Sequence, residues 1–172
     1  MRKIMVALMA TLILTTGCTN KAEKNNDVLE PSSGVVGKKE VKGTLTYEGA
    51  DVTPGKSFNE KSIAAKAEKS ELPSCALEGM DHVYRYEDVE ITANVNNGKE
   101  TIYSVYFINE NAKTPEGVGI GDSKDKMINT YGDGYTNDVS LYTYISDNGK
   151  VNINFQVEND VITGIDYTQV LK

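Results

Sequence analysis

The chain contains no tryptophan, a single histidine, two cysteines and four prolines among its 172 residues. One histidine excludes a His-rich zinc site and leaves any Ser-His-Asp triad dependent on His82. No GxSxG string marks a hydrolase nucleophile. Two cysteines in unlike surroundings do not make a disulfide framework. No apolar run is long enough to span a bilayer: the run from Ile4 to Leu14 covers about 11 residues where about 20 are needed. Basic residues are the minority, 18 Lys and Arg against 25 Asp and Glu. The resulting charge of −7 argues against a nucleic-acid partner, which requires a basic surface. What is present, 39% hydrophobic residues, suffices for the core of one compact domain or two small ones.

The N-terminus reads "MRKIMVALMATLILTTGC". Arg2 and Lys3, an apolar run and the small residues Thr15, Thr16 and Gly17 have the order of a secretory signal. The approach to Cys18 resembles a bacterial lipobox, in which the cysteine thiol receives a diacylglycerol and the preceding segment is removed. Thr15 stands where that family usually has Leu, and Leu14 lies one step earlier. The resemblance implies a signal peptide over residues 1–17, lipidation of Cys18, and an extracytoplasmic protein held on a bacterial membrane by acyl chains. An ordinary cleaved signal is the alternative. A thioether at Cys18 would leave Cys75 without an intrachain partner, and Cys75 in "PSCALEG" reads as a small buried hydrophobe. Residues 18–43 then form the lipidated start and a polar tether without an apolar period.

From Thr44 the chain repeats itself. "VTPGKSF" matches "KTPEGVGI", and "YRY" at Tyr84 to Tyr86 matches "YTY" at Tyr142 to Tyr144. "VEITANV" matches "VNINFQV", and "TIYSVYF" matches "VITGIDY", all in the same order. Each unit reads as a helix followed by three strands. The expected architecture is α+β: two tandem helix-plus-three-stranded antiparallel repeats, over residues 44–110 and 111–172. In the second, Asp122 or Ser123 caps a helix through Met127, Ile128 and Tyr131 that stops at Gly132. In the first, "NEKSIAAKAEKS" is a candidate helix with Ile63, Ala64 and Ala67 on one side.

The strands alternate. Val151, Ile153, Phe155 and Val157 point one way, and Asn152, Asn154 and Gln156 the other. A turn at Asn148-Gly149 sets Tyr144 opposite Ile153 and Tyr142 opposite Phe155. A turn at Glu87-Asp88 sets Tyr86 opposite Val89 and Tyr84 opposite Ile91. Both tyrosine pairs therefore belong to the core. Pairing through Asn97-Gly98 sets Ala93 opposite Ile102 and Val89 opposite Tyr106, which leaves Tyr103, Val105 and Phe107 on the opposite face. With Thr143, Asn152, Asn154 and Gln156 these residues are the candidate partner-binding surface. The alternative is that the two units pack together over Tyr103 and Phe107.

The loop "TPEGVGIGDSKDK" is not a nucleotide cradle. Its spacing is GxGxG rather than GxGxxG, no P-loop string exists, and Asp122 and Asp125 sit where phosphate would bind. "GDGYTND", Gly132 to Asp138, lacks the spacing and final Glu of a calcium loop. No catalytic residue, metal or cofactor is expected. "TPEGVGIGDSKDKMINTYG" and the hairpin-linked strands resemble the SmpA/OmlA lipoprotein repeat, and "SCALEG", "YRY" and "TPEGVGIG" in this order resemble a set of bacterial lipoproteins. The loop with its strands is also similar to the β-lactamase inhibitor protein family, which carries two such units in tandem. That family's disulfides have no counterpart here, and its inhibitory activity is not carried over. The resemblance implies a non-catalytic envelope lipoprotein that binds or scaffolds a protein or wall component. An inhibitor or sensor of an extracytoplasmic enzyme is the second reading, and a hydrolase with an unrecognised site is the third.

Overall fold

The computed structural model describes residues 39–171. The signal, Cys18 and most of the tether lie outside the described residues. A small hairpin, β1 (Thr46–Tyr47) with β2 (Ala50–Asp51), comes first. A single 3-10 turn at Glu60–Ser62 leads to β3 (Glu68–Pro73), β4 (Met80–Arg85), β5 (Val89–Asn96) and β6 (Lys99–Phe107). Helix α1 (Lys124–Tyr131) precedes β7 (Thr136–Asp138), β8 (Leu141–Ile145), β9 (Val151–Glu158) and β10 (Val161–Gln169). The last eight strands make one antiparallel sheet in the order β3-β4-β5-β6-β10-β9-β8-β7.

This overturns the α+β expectation of two helix-plus-three-stranded repeats. The described residues are mostly β, 47% strand and 8% helical, with one α-helix among them. The second-half helix forms as its caps predict: the Ser123 hydroxyl accepts from the Lys126 amide, and Gly132 ends the helix with a φ of 86°. The helix expected over residues 59–70 does not form. Its apolar side would be one isoleucine and small alanines, and only Ile63 is buried there, too little surface to offset the cost of nucleation. The chain instead makes the 3-10 turn, capped by Asn59, and extends into β3. That edge strand is exposed along its length and carries Glu68, Lys69, Glu71 and Pro73, which discourage pairing with another chain.

The sheet order is symmetric about the β6–β10 seam, with four strands from each half of the chain. Each half repeats the same device beside that seam. The Gly55 amide donates to the Ile102 carbonyl (2.8 Å), and the Ile102 amide donates to Lys56 (2.9 Å). In the other half, the Gly121 amide donates to the Ile162 carbonyl and the Ile162 amide to Asp122, both at 2.9 Å. Bridges Ser57–Thr101 and Ser123–Val161 extend the two clamps. Direct β6–β10 pairing spans only Ser104–Tyr106 with Asp166–Thr168. Beyond it, each strand exchanges its neighbour for a Gly-x-Ser segment.

One sheet face is covered. In the second half α1 lays Met127 and Tyr131 on it, with the Tyr131 ring 5.2 Å from Tyr144 and 5.3 Å from Phe155. In the first half an irregular segment replaces the helix: Phe58 packs 4.6 Å from Tyr84, and Tyr47 packs 5.5 Å from Tyr86. The tyrosine registers are those expected from the turns, Tyr84 with Ile91, Tyr144 with Ile153 and Tyr142 with Phe155. Three hydroxyls find partners around this core, Tyr84 donating to Glu100, Tyr131 to Glu116 and Tyr144 to the Gly132 carbonyl, each at 2.7 Å. Where the tether ends, the Val41 amide donates to the Asp147 carboxylate (2.9 Å) and the Asp147 amide returns a bond to the Val41 carbonyl (2.8 Å). Cys75 is exposed, not buried, because it lies in the turn between β3 and β4 and not on a strand.

Candidate functional site

Among the described residues the other face of the sheet is half-exposed at its centre, at Tyr106, while toward β4 and β5 it buries Asn94 and Asp81, hydrogen-bonded to one another at 3.0 Å. Strand alternation brings one residue from each strand into a row across the sheet: Glu68, Arg85, Glu90, Tyr106, Asp166, Asn154, Thr143 and Thr136. The next row runs through Ser104, Thr168, Asn152 and Ile145. Thr143, Asn152, Asn154 and Gln156 thus share this face, as their alternation requires.

Val105 and Phe107 are not on it. Both are buried on the covered side, opposite Ile91 and Val89. The cause is a bulge. Ala93 pairs with Ile102 as expected, but Thr92 pairs with Ser104, so Tyr103 is an extra residue. One extra residue inverts the facing of everything after it. Val105 and Phe107 turn inward, Tyr106 turns outward at 45% exposure, and Tyr103 is left half-buried at the bulge. The signal was present in the sequence: Ile102, Val105 and Phe107 are spaced three and then two, and Ile162, Ile165 and Tyr167 repeat that spacing around a second bulge at Thr163.

Tyr106 and Asp166, not singled out by the sequence, form the centre of the open face. The Tyr106 ring reaches over Gly164: a Cβ built there would lie 3.8 Å from the hydroxyl and 4.0 Å from Cε2. Gly164 has no side chain beneath that end of the ring, which leaves the hydroxyl room above the neighbouring strand. Beside it, the Asn154 amide donates to the Asp166 carboxylate (2.9 Å) and to Thr168 (3.3 Å), and its oxygen accepts from Thr143 (2.9 Å). Burial among these neighbours pushes the Asp166 carboxyl above its ordinary pKa, and the Asn154 hydrogen bond opposes the shift without cancelling it. At one edge Arg85 and Glu90 neutralise one another at 2.8 Å.

Comparison of the chain with protein-family models, curated proteins and solved structures finds no match. The lipoprotein and SmpA/OmlA-like reading therefore rests on the residues that suggested it, and Cys18 lies outside the described residues.

Three other places hold concentrated chemistry. In the glycine loop, Asp122 accepts from the Gly119 amide and from Lys126, both at 2.8 Å. Burial would raise its pKa, yet the Lys126 and Gly119 bonds outweigh that effect and hold it below the usual carboxylate range. The loop amide is thus satisfied by the protein's own carboxylate. Near the free edge of the first half, His82 Nδ1 lies 2.9 Å from Glu100 and Nε2 lies 3.3 Å from Glu71. The imidazole is thereby occupied within the fold, well placed to hold β3 onto β4. Finally, an open cleft of about 670 Å³ is bordered by Thr53–Lys56, residues 148–151 and Gln169–Leu171, beside the part of β6 that the first Gly-x-Ser segment clamps. Its Lys56 is already ion-paired with Asp51. Among the described residues no group of three or more His, Cys, Asp or Glu is placed to hold a metal ion, and Thr136–Asp138, within the calcium-like stretch, forms edge strand β7.

Proposed function

We propose that this protein is a non-catalytic binding module of the bacterial envelope, tethered to a membrane through lipidated Cys18 and engaging its partner with the open face of the eight-stranded sheet. The observation that carries the reading is the asymmetry of the sheet. One face is buried under α1 and the 45–67 segment, while the other presents an ordered polar network with a half-exposed tyrosine at its centre. Ordering side chains on an uncovered surface costs entropy, and a recognition surface is one setting in which that ordering is useful. The chain at Val41 is hydrogen-bonded to Asp147 in the turn between β8 and β9.

The test is capture from solubilised envelopes with the full chain as bait. Asn154→Arg, which places a long cation in the middle of the face, is expected to abolish recovery of wall material or a specific protein. Asp125→Ala, on the exposed side of α1, is expected to leave it unchanged. Equal recovery by both variants would remove the open face from consideration. Turnover of an envelope polymer by the purified protein would favour the hydrolase reading instead.

A further inference from the structure

We propose that the open face recognises a neutral, hydroxyl-rich glycan, with Tyr106 as the stacking surface and the Asp166–Asn154–Thr143 chain as the hydroxyl-binding group. The proposal rests on the binding-module reading and gives its partner a chemistry. Four observations lead to it.

The apolar anchors that a protein partner would grip are missing from the middle of the face. Burial of Val105 and Phe107 removes two of the three apolar candidates that the sequence offered, and the third, Tyr103, is left half-buried at the bulge. Tyr106 aside, β5, β6, β9 and β10 present hydroxyl, amide and carboxylate side chains over the area around Asp166; Leu72 stands apart on β3, and Leu141 and Ile145 lie two strands from Asp166 on β8, opposite Gln156 and Asn152. A polyanion is disfavoured as well. Arg85 is committed to Glu90, and the nearest charge to the centre is the Asp166 carboxylate.

The groups that remain match the two surfaces of a pyranose ring. A sugar has a C–H face that stacks on an aromatic ring and an equator of hydroxyls that donate and accept hydrogen bonds. The hydroxyl end of Tyr106 reaches over Gly164 and the residue is 45% exposed, which leaves ring surface available for stacking. Its neighbour across the seam is Asp166, one strand away, about 5 Å in sheet geometry. That is the scale of a single sugar unit.

The Asp166 carboxylate is oriented but not saturated. Its Oδ2 accepts from Asn154, and among the described residues no donor reaches Oδ1. Asn154 is in turn fixed by Thr143 and Thr168, so the carboxylate and amide are held in place before any ligand arrives. A half-buried carboxylate with a spare lone pair favours a hydroxyl donor, which restores the hydrogen bonds lost to burial. Asn152 and Ser104, in the adjoining row, have no side-chain hydrogen bond to any described residue and are available to a second sugar unit.

The test is a two-dimensional amide NMR titration of the full chain with N-acetylchitotetraose and, separately, maltotetraose. Saturable shifts clustered on β6, β9 and β10 are expected with at least one of them. Tyr106→Ala and Asp166→Asn are each expected to weaken that binding about tenfold or more, while Asp125→Ala leaves it intact. The amide spectrum of each variant shows at the same time that it is folded. Absence of saturable shifts with both sugars, or binding that survives both variants, overturns the glycan assignment. The capture experiment with Asn154→Arg separates the two levels. If that variant loses a protein partner while neither sugar binds, the glycan chemistry fails and the binding face stands. If capture and sugar binding are both insensitive to the face, both proposals fail.

Discussion

Tyr103 and Thr163 occupy the same place in two different strands: each is the extra residue of a bulge, one in β6 against β5 and the other in β10 against β9. The two bulges flank the seam where the halves of the sheet join, and each lies next to an isoleucine clamped by a Gly-x-Ser segment. A bulge bends and twists its strand locally. Here it also sorts side chains, sending Val105, Phe107, Ile165 and Tyr167 to the core and Tyr106 and Asp166 to the open face.

That sorting makes a stability prediction opposite to the one from simple alternation. Phe107 is 1% exposed and its ring stacks 6.1 Å from Tyr167 across the seam. Phe107→Ala is expected to cost about 3–5 kcal/mol in a urea melt, and Tyr106→Ala less than about 1 kcal/mol. Similar costs for the two would mean that the bulge is misplaced.

The same logic separates neighbours on β9. Phe155 is fully buried between Tyr131 and Tyr144, and Phe155→Ala is expected to cost about 3–5 kcal/mol. Asn154→Ala removes the donor to Asp166 and is expected to cost about 1–2 kcal/mol. Denaturant midpoints for the pair check the ranking.

Asp166 makes stability depend on pH in a definite direction. Its folded-state pKa is raised above the ordinary 3.8, mainly by burial. The folded state then holds the proton more tightly than the unfolded chain, so ionisation opposes folding. Below the unfolded pKa both states are protonated and the penalty is absent. It develops as pH rises through the unfolded and then the folded pKa, and persists above. Asp166→Asn is therefore expected to be more stabilising, relative to wild type, at pH 7 than at pH 3. Melts at both values decide it, and a difference independent of pH would contradict the burial of this carboxylate.

Gly43 is where the incoming chain meets the hairpin between β8 and β9. Its φ is +65°, and a Cβ there would lie 2.5 Å from Ser146 Cβ. Gly43→Ala combines strain and collision and is expected to cost about 1–3 kcal/mol locally. Limited proteolysis is the measure: cleavage after Lys42 should accelerate in the variant.

Anchoring is tested at Cys18. Mass spectrometry of the N-terminal peptide is expected to show an acylated Cys18, and Cys18→Ala is expected to abolish both acylation and maturation there. An unmodified cysteine, or a cut elsewhere, would end the lipoprotein reading.

Several features were legible without coordinates because they depend on neighbours in the chain. The cap at Ser123, the stop at Gly132, the alternation of Val151 to Val157 and the tyrosine registers set by short turns are all local. Asn152, Asn154, Gln156 and Thr143 followed from the same alternation. Tyr106 was missed because strict alternation was carried through β6, although the three-then-two spacing of Ile102, Val105 and Phe107 already broke it; pairing with β5 shows that the break is a bulge at Tyr103.

The sequence by itself determined the alternating strands at Val89 to Val95 and Val151 to Val157 with their hairpin turns, and where the second-half helix begins and ends. Tertiary structure alone decided that the strands of the two halves merge edge to edge into one sheet, that residues 59–70 pass from a 3-10 turn into an edge strand, and which face each half of β6 presents. The physical reason lies in the length scale of the forces. Caps and turns are satisfied within a few residues, whereas helix or strand at residues 59–70 depends on what apolar surface is available to cover. A bulge, likewise, can be placed only against the strand that it fails to match.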